Sequence, residues 1–369
     1  VSELTAQLEI IDQNFVVHER RRLVYFGGCD YFRLATHPSV IDALKKGADQ
    51  TGLSSSASRI TTGNHPLYSR LEKRLASHFG ARAALTVSAG YLANIAVTQS
   101  LNGEITHGLI DERSHASLLD AARFLDCPVT SFTHRDANDL KLKLKTLPQS
   151  AKPLLMTDGL FSHDGSLAPL GAYEKLLPKG GLMLVDDAHG AGVTGANGRG
   201  TLEAEDVNRR RIIQTITLSK AFGCAGGGVL CSQSRRDRIA TRSHAFQGST
   251  PLPLPLAEAA MTSTALLKRD KRYRIRLRSN AHLAKSELVK IEFPVIDNSS
   301  PILSFVPRSA HETKSLTRRL KSNGVFPSLI RYPGGPKNGY FRFAISSEHS
   351  HEQIRALTHA LGAFPRDAD

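Results

Sequence analysis

The sequence predicts an α/β protein, with a mostly parallel sheet in a large domain and a smaller α+β domain behind it. Three observations carry this reading. Short apolar runs alternate with amphipathic stretches from residue 37 to residue 232. Residues able to do chemistry cluster where the apolar runs end, which is where such sheets bind ligands. After "STPLPLPLAEAA" the alternation stops.

The elements follow in order. "HPLYSRLEKRLASHFG" reads as a helix with Leu67, Leu71, Leu75 and Phe79 on one face. "AALTV" reads as a strand and "GYLANIAVTQSL" as the next helix. "HGLIDE" is a strand, "SHASLLDAARFL" a helix and "CPVTSF" a strand. "KPLLMTDGLF", "GLMLVDDAHG" and "RRIIQTITLS" are three more strands. Residues 256–290 read as one long basic helix. Beyond it, the strands "PILSFV" and "YFRFAI" mix with the helices "HETKSLTRRLKSNG" and "HEQIRALTHALGAF". The expected organisation is an N-terminal segment over 1–35, a large domain over 36–265 and a small domain over 266–369.

Composition narrows the function classes. The chain has 369 residues, 40% apolar and 22% charged, as expected of an ordinary globular protein. It has no apolar run of about 18 residues, so no membrane span is expected. The start, "VSELTAQLEI", lacks the basic-then-apolar layout of a secretory signal. Cys29, Cys127, Cys224 and Cys231 are scattered and form no C-x-x-C pair. That argues against a disulfide framework and a zinc site, and for a reducing, cytoplasmic setting with no metal. The net charge is +14, from 48 Lys+Arg against 34 Asp+Glu. No nucleic-acid recognition module accompanies it. The basic clusters "HERRR", "NRRR" and "LLKRDKRYRIRLR" suit solvated helix faces, or attraction of a polyanionic cofactor or carrier.

Two motifs point to chemistry. A strand ends in "LVDDAHG", with Asp186, Asp187 and His189. A second ends in "TLSK", with Lys220. One strand–helix–strand step brings Asp186 and Lys220 to the same sheet edge. A strand-end carboxylate can be a mere cap, and a strand-end lysine can be merely solvated. Together they suit pyridoxal phosphate (PLP): the lysine forms a Schiff base, and the carboxylate keeps the pyridine nitrogen protonated. Asp187, pointing the other way on an extended backbone, reads as structural. In "TVSAGYLAN" a strand meets a helix N-terminus at Gly90, a place where free N–H groups bind phosphate. His115 follows another strand end, where it suits a cap or the face of an aromatic cofactor. "DGLFSHDG" adds Ser162, with Asp158 behind it.

These stretches resemble the α-oxoamine synthase family, PLP enzymes of fold type I (aspartate aminotransferase-like). "CDYFRLATHP", "RITTGNHPLYSRLEKRLA", "SAGYLAN", "DERSHASLLDAA", "GLFSHDGSLAPL", "LVDDAHGAGVTGANGRG", "TLSKAFGCAGG" and "YFRFAISSEH" carry the likeness in order along nearly the whole chain. Within the family, the 8-amino-7-oxononanoate synthase subgroup is most alike. The 2-amino-3-ketobutyrate CoA ligase and serine palmitoyltransferase subgroups come next.

The resemblance implies Lys220 as the Schiff-base lysine, Asp186 on the ring nitrogen, His189 on the ring hydroxyl and His115 stacked on the ring. It implies Gly90 and Tyr91 at the phosphate, Ser162 and Thr217 as hydroxyl contacts, and Ser249 and Thr250 at the phosphate of a neighbouring subunit. Arg342 would hold the amino-acid carboxylate, with Arg331 and Gly334 near the substrate. The implied reaction condenses an amino acid with an acyl-CoA or acyl carrier protein thioester, releasing the thiol and carbon dioxide. The implied assembly is a homodimer with shared active sites. Cys29 stands where the family often has asparagine, "SSSAS" replaces a glycine-rich run, and Gly334 stands where a threonine is common. These departures touch the substrate side rather than the cofactor side. An aminotransferase or aldolase of the same fold is the rival enzyme reading. A catalytically silent nucleic-acid binder is the rival from another class, and it would need no Lys–Asp–His set.

Overall fold

The computed structural model describes residues 7–11, 14–332 and 335–362. Two compact units emerge: residues 37–161 with 167–271, and residues 1–36 with 162–166 and 272–369.

The chain opens with an antiparallel three-strand meander, β1 (Glu9–Ile11), β2 (Phe15–His18) and β3 (Arg21–Val24). The larger unit follows with α1 (Pro38–Thr51) and α2 (Pro66–Phe79). Helix α2 starts where His65 accepts the Leu67 N–H and Pro66 presets the first turn, and it stops at Gly80 in the left-handed conformation. Its buried face holds Leu67, Leu71, Leu75 and Phe79, as the spacing predicts. Then come β4 (Ala83–Val87), α3 (Gly90–Leu101), β5 (His107–Asp111), α4 (Ala116–Ala122), β6 (Val129–Phe132), α5 (Ala137–Lys145) and β7 (Pro153–Asp158). The unit continues with α6 (Leu170–Leu176), β8 (Leu182–Asp186), α7 (Thr201–Ala204), β9 (Ile212–Thr217) and β10 (Gly227–Cys231). It closes with α8 (Gln233–Arg242), α9 (His244–Gln247) and α10 (Leu254–Arg269).

The seven strands form one sheet in the order β4-β10-β9-β8-β7-β5-β6. Strands β9, β8, β7, β5 and β6 are parallel neighbours, and β10 runs antiparallel to both β4 and β9. Successive residues point to opposite faces. Leu154, Met156 and Leu184 enter one apolar core, while Leu155, Met183 and Val185 enter another. Both faces are therefore covered, which explains strands that are buried throughout. The glycine-led β10 carries too few apolar residues to read as a strand from sequence.

The expectation of one helix over 256–290 is corrected. Helix α10 ends at Asp270, which caps it in an extended conformation, and α11 (Arg272–Lys290) starts anew. Aspartate favours caps over helix interiors, because its carboxylate competes for nearby backbone groups. The two helices belong to different units.

The smaller unit adds β11 (Ile302–Phe305), α12 (Ala310–Ser322), β12 (Leu329–Ile330), β13 (Tyr340–Ala344) and α13 (His351–Gly362). Its sheet is antiparallel, in the order β11-β13-β12. Phe26, Leu288, Phe341 and Leu357 share its core. Among the described residues, no helix is long and apolar enough to cross a membrane.

Candidate active site

The register of three parallel strands sets the site. Asp158 at the end of β7 pairs with Asp186 at the end of β8, and Asp186 pairs with Thr215 near the end of β9. The chain leaves β9 at Thr217 and reaches Lys220 inside a tight loop. That loop is closed by Leu218 N–H to Gly226 O at 2.9 Å, Cys224 N–H to Leu218 O at 2.9 Å and Gly223 N–H to Lys220 O at 2.9 Å. Lys220 is half-buried rather than fully buried. A strand-end loop keeps one side open, so the lysine stays reachable.

Asp186 is held by three donors. Asn94 Nδ2 donates to Oδ2 at 2.7 Å, Ser117 Oγ lies 3.2 Å from the same oxygen, and the Ala188 N–H donates to Oδ1 at 3.0 Å. Thr215 Oγ1 in turn donates to Asn94 Oδ1 at 2.6 Å. His115 caps α4: its Nδ1 accepts the Ser117 N–H at 3.2 Å and lies 2.8 Å from Ser117 Oγ. The His115 N–H donates to Asp158 Oδ2 at 2.8 Å. Burial, and then the Asp186 charge, pushes the Asp158 carboxyl well above the usual carboxylate range. The His115 N–H and the Lys220 ammonium pull against that rise. The charge of Lys220 is thus felt within this carboxylate pair. His189, just beyond β8, is buried.

Asp187 does face away, as expected. It accepts from the Thr201 N–H at 2.9 Å, from Thr201 Oγ1 at 2.8 Å and from Gln214 Nε2 at 2.5 Å. Burial raises its carboxyl to about 7 against these bonds. A β-carbon on Gly200 would lie 1.8 Å from Asp187 Oδ2, so glycine is obligatory there.

The helix N-terminus expected to take a phosphate is that of α3. Its N-cap, Ala89, makes no side-chain cap bond, so the first N–H groups of the helix are not capped from that side. A β-carbon on Gly90 would sit 2.7 Å from Thr217 Cβ, so only glycine lets the helix start so close to β9. Tyr91 is exposed, donates its hydroxyl to Asp120, and meets the His115 ring edge-on at 6.4 Å.

The remaining expected residues are described within their own units. Ser249 and Thr250 line a small cleft with Arg59, Thr86, Ser88 and Phe246, and neither Lys220 nor Asp186 lines it. Ser162, Arg331 and Arg342 belong to the smaller unit. There, Arg342 donates to Ser162 O at 3.4 Å and to Cys29 Sγ at 3.8 Å. Its buried Nε has no hydrogen-bond partner among the described residues. Arg331 is exposed. Gly334 lies outside the described residues.

Sequence reasoning missed Asn94, Ser117 and Thr215. Asn94 did leave a signal, being an amide in the mostly apolar stretch "GYLANIAV" that opens the helix. The hydroxyls of Ser117 and Thr215 gave none.

Comparison with known proteins bears on the family and the fold. The model of the family "Aminotransferase class I and II" matches residues 23–361. The 8-amino-7-oxononanoate synthase of Thioalkalivibrio sulfidiphilus is 33% identical over 356 residues, covering 96% of this chain and 91% of that one. The enzyme of the same name from Methylococcus capsulatus is 35% identical over 349 residues, covering 94% and 90%. Among solved structures, serine palmitoyltransferase from S. paucimobilis, with PLP and myriocin bound, superposes with a TM-score of 0.89 at 25% identity, covering 96% of this chain and 90% of that one. The 8-amino-7-oxononanoate synthase of Francisella tularensis shares the fold, with a TM-score of 0.79 at 23% identity, covering 92% and 97%. The chain belongs to the aminotransferase class I and II family.

Proposed function

We propose that the protein is a PLP-dependent acyltransferase of the α-oxoamine synthase kind. It joins alanine, glycine or serine to an acyl thioester and releases the thiol and carbon dioxide. Chemistry like that of 8-amino-7-oxononanoate synthase is the best-supported form, since the curated relatives carry that name over nearly their whole length. One observation carries the reading: Asp186 ends β8 and Lys220 lies in the loop just beyond the adjacent parallel strand β9, with the carboxylate already oriented by three donors.

The residues present fit PLP. Asp186 keeps an acceptor site free, Gly90 clears room at a helix N-terminus, and Lys220 is reachable. Lys220 would bind the cofactor covalently, Asp186 its ring nitrogen, His189 its ring hydroxyl, and His115 its ring face. The backbone at Gly90 and Tyr91 would take the phosphate, with Thr217 and Ser162 as hydroxyl contacts. When bound, PLP supplies an electron sink for the carbon next to the amino group.

The protein's own groups do the rest. Lys220 Nζ, freed once the amino acid's own amine has taken its place, would take the α-proton of the amino acid and later return a proton to the product. Asp186 would accept a hydrogen bond from the ring nitrogen through its open acceptor site. His115 offers a hydrogen bond to the thioester carbonyl as charge builds on its oxygen. Arg342 presents parallel donors to a carboxylate, and its unpartnered Nε supports that role. Ser249 and Thr250 serve the phosphate of a neighbouring subunit in a homodimer.

A serine palmitoyltransferase-like activity is the second reading, favoured by the superposition at TM-score 0.89. Both are tested by one matrix of alanine, glycine and serine against acyl thioesters of increasing length, read by thiol release. Release that needs both an amino acid and a thioester is expected. Amino-group transfer to a keto acid without thiol release would favour an aminotransferase instead.

A further inference from the structure

We propose that Asn94, locked by Thr215, is the positioning residue of Asp186, and that it leaves the carboxylate a single open acceptor site for the cofactor ring nitrogen. The inference rests on the PLP reading above and specifies how the chain holds the ring proton.

The count of hydrogen bonds leads there. A carboxylate accepts about four hydrogen bonds, roughly two at each oxygen. Asp186 Oδ2 receives Asn94 Nδ2 at 2.7 Å and faces Ser117 Oγ at 3.2 Å. Oδ1 receives the Ala188 N–H at 3.0 Å. While Ser117 donates to Oδ2, one site is left, and it is on Oδ1. The carboxylate is therefore fixed in its plane and points one lone pair onward.

Asn94 is the donor that cannot be diverted. Thr215 Oγ1 donates to its Oδ1 at 2.6 Å, which turns the amide nitrogen toward Asp186. Its two N–H groups then go to Asp186 and, at 3.0 Å, to Ser117 Oγ. Ser117 has one hydroxyl proton and two acceptors nearby, Asp186 Oδ2 and His115 Nδ1. Its bond to Asp186 can be lost to His115, whereas that of Asn94 cannot. Asn94 is fully buried, four residues into α3 from Gly90, so the helix start at the phosphate end and the ring-nitrogen end are set by one rigid element. Thr215 faces Asp186 in the strand register, so β8 and β9 fix both ends of the clamp.

The chemical consequence follows. The open Oδ1 lone pair is then held in place to accept the ring N–H. Removing a hydrogen bond to a charged group costs about tenfold to a hundredfold in the equilibrium it supports.

The test uses holoenzyme loaded with PLP labelled with ¹⁵N in the ring, and reads the ring-nitrogen chemical shift and the PLP dissociation constant. Asn94→Leu removes both amide bonds. Thr215→Val removes only the lock, and Thr215→Ser restores it. Wild type and Thr215→Ser are expected to show a protonated ring nitrogen. Thr215→Val should move part of the way toward the unprotonated signal, and Asn94→Leu further, with PLP held at least about tenfold more weakly. If Asn94→Leu fails to fold, Thr215→Val against Thr215→Ser decides the matter. A protonated signal in Thr215→Val, or equal behaviour of the valine and serine variants, overturns the proposal. Wild type that takes up no PLP would bring down the functional reading and this assignment with it. Normal uptake with unchanged signals would bring down this assignment alone.

Discussion

At the scale of single residues, the paired aspartates divide the labour. Asp186 faces the site and keeps one acceptor free, whereas Asp187 is spent on Thr201 and Gln214. Asp186→Asn is therefore expected to abolish most turnover while Asp187→Asn acts chiefly on stability. Equal losses of kcat would contradict that division. Asp187 also gives a pH signature. Its folded carboxyl titrates near 7, against 3.8 for the group in its ordinary state. Between those values the folded chain keeps the proton and the unfolded chain loses it, so stability falls as pH rises from about 4 to about 7. Over pH 5 to 7 this contributes about 2 kcal/mol of lost stability. Asp187→Asn cannot titrate and should lack this contribution. Urea unfolding of both proteins at pH 5 and pH 7.5 measures it, and parallel falls in the two proteins would contradict the assignment.

At the scale of elements, Glu72 on α2 holds both β4 and the loop before α2, through Thr86 and a buried ion pair with Arg59. Glu72 accepts from Arg59, from the Thr86 N–H at 2.9 Å and from Thr86 Oγ1 at 3.0 Å. Glu72→Ala leaves the buried Arg59 uncompensated and should cost about 3 kcal/mol in urea unfolding. A loss below about 1 kcal/mol would show that Arg236, 3.6 Å from Glu72, and solvent share the charge more evenly than the geometry implies. How much of this level was legible depended on what sets each element. Helix α2 was readable because its apolar period and its flanking Pro66 and Gly80 agree. The parallel strands were readable because both of their faces are apolar. Strand β10 was not, since its glycines make room for Gly90 and Ile216 rather than burying side chains of their own. The break at Asp270 was hidden because basic residues run on across it. In the site, Lys220, Asp186 and His115 were legible from their places at strand ends. The clamp of Asn94 and Thr215 was not, because it joins residues 121 positions apart through a register that no local pattern displays.

At the scale of the whole molecule, Ser249 and Thr250 line a cleft that contains neither Lys220 nor Asp186. Hydroxyls that serve another subunit would be placed that way. Mixing Lys220→Ala protomers with Ser249→Ala/Thr250→Ala protomers, after subunit exchange, should restore part of the activity that each lacks alone. No recovery, or a fully active monomer on sizing, would contradict the shared-site dimer. The net charge of +14 belongs to this scale too. If it steers a polyanionic acyl donor, kcat/KM for the thioester should fall steeply with salt while that for the amino acid barely moves. Equal falls would contradict steering. The central claim, that Lys220 carries the cofactor of an acyl transfer, has a more direct test. The protein, incubated with PLP, is reduced with borohydride, digested and analysed by mass spectrometry. The account predicts a phosphopyridoxyl adduct on the peptide bearing Lys220, absent from Lys220→Ala, in step with loss of amino-acid-dependent thiol release. An adduct on another lysine, or undiminished release by Lys220→Ala, would contradict it.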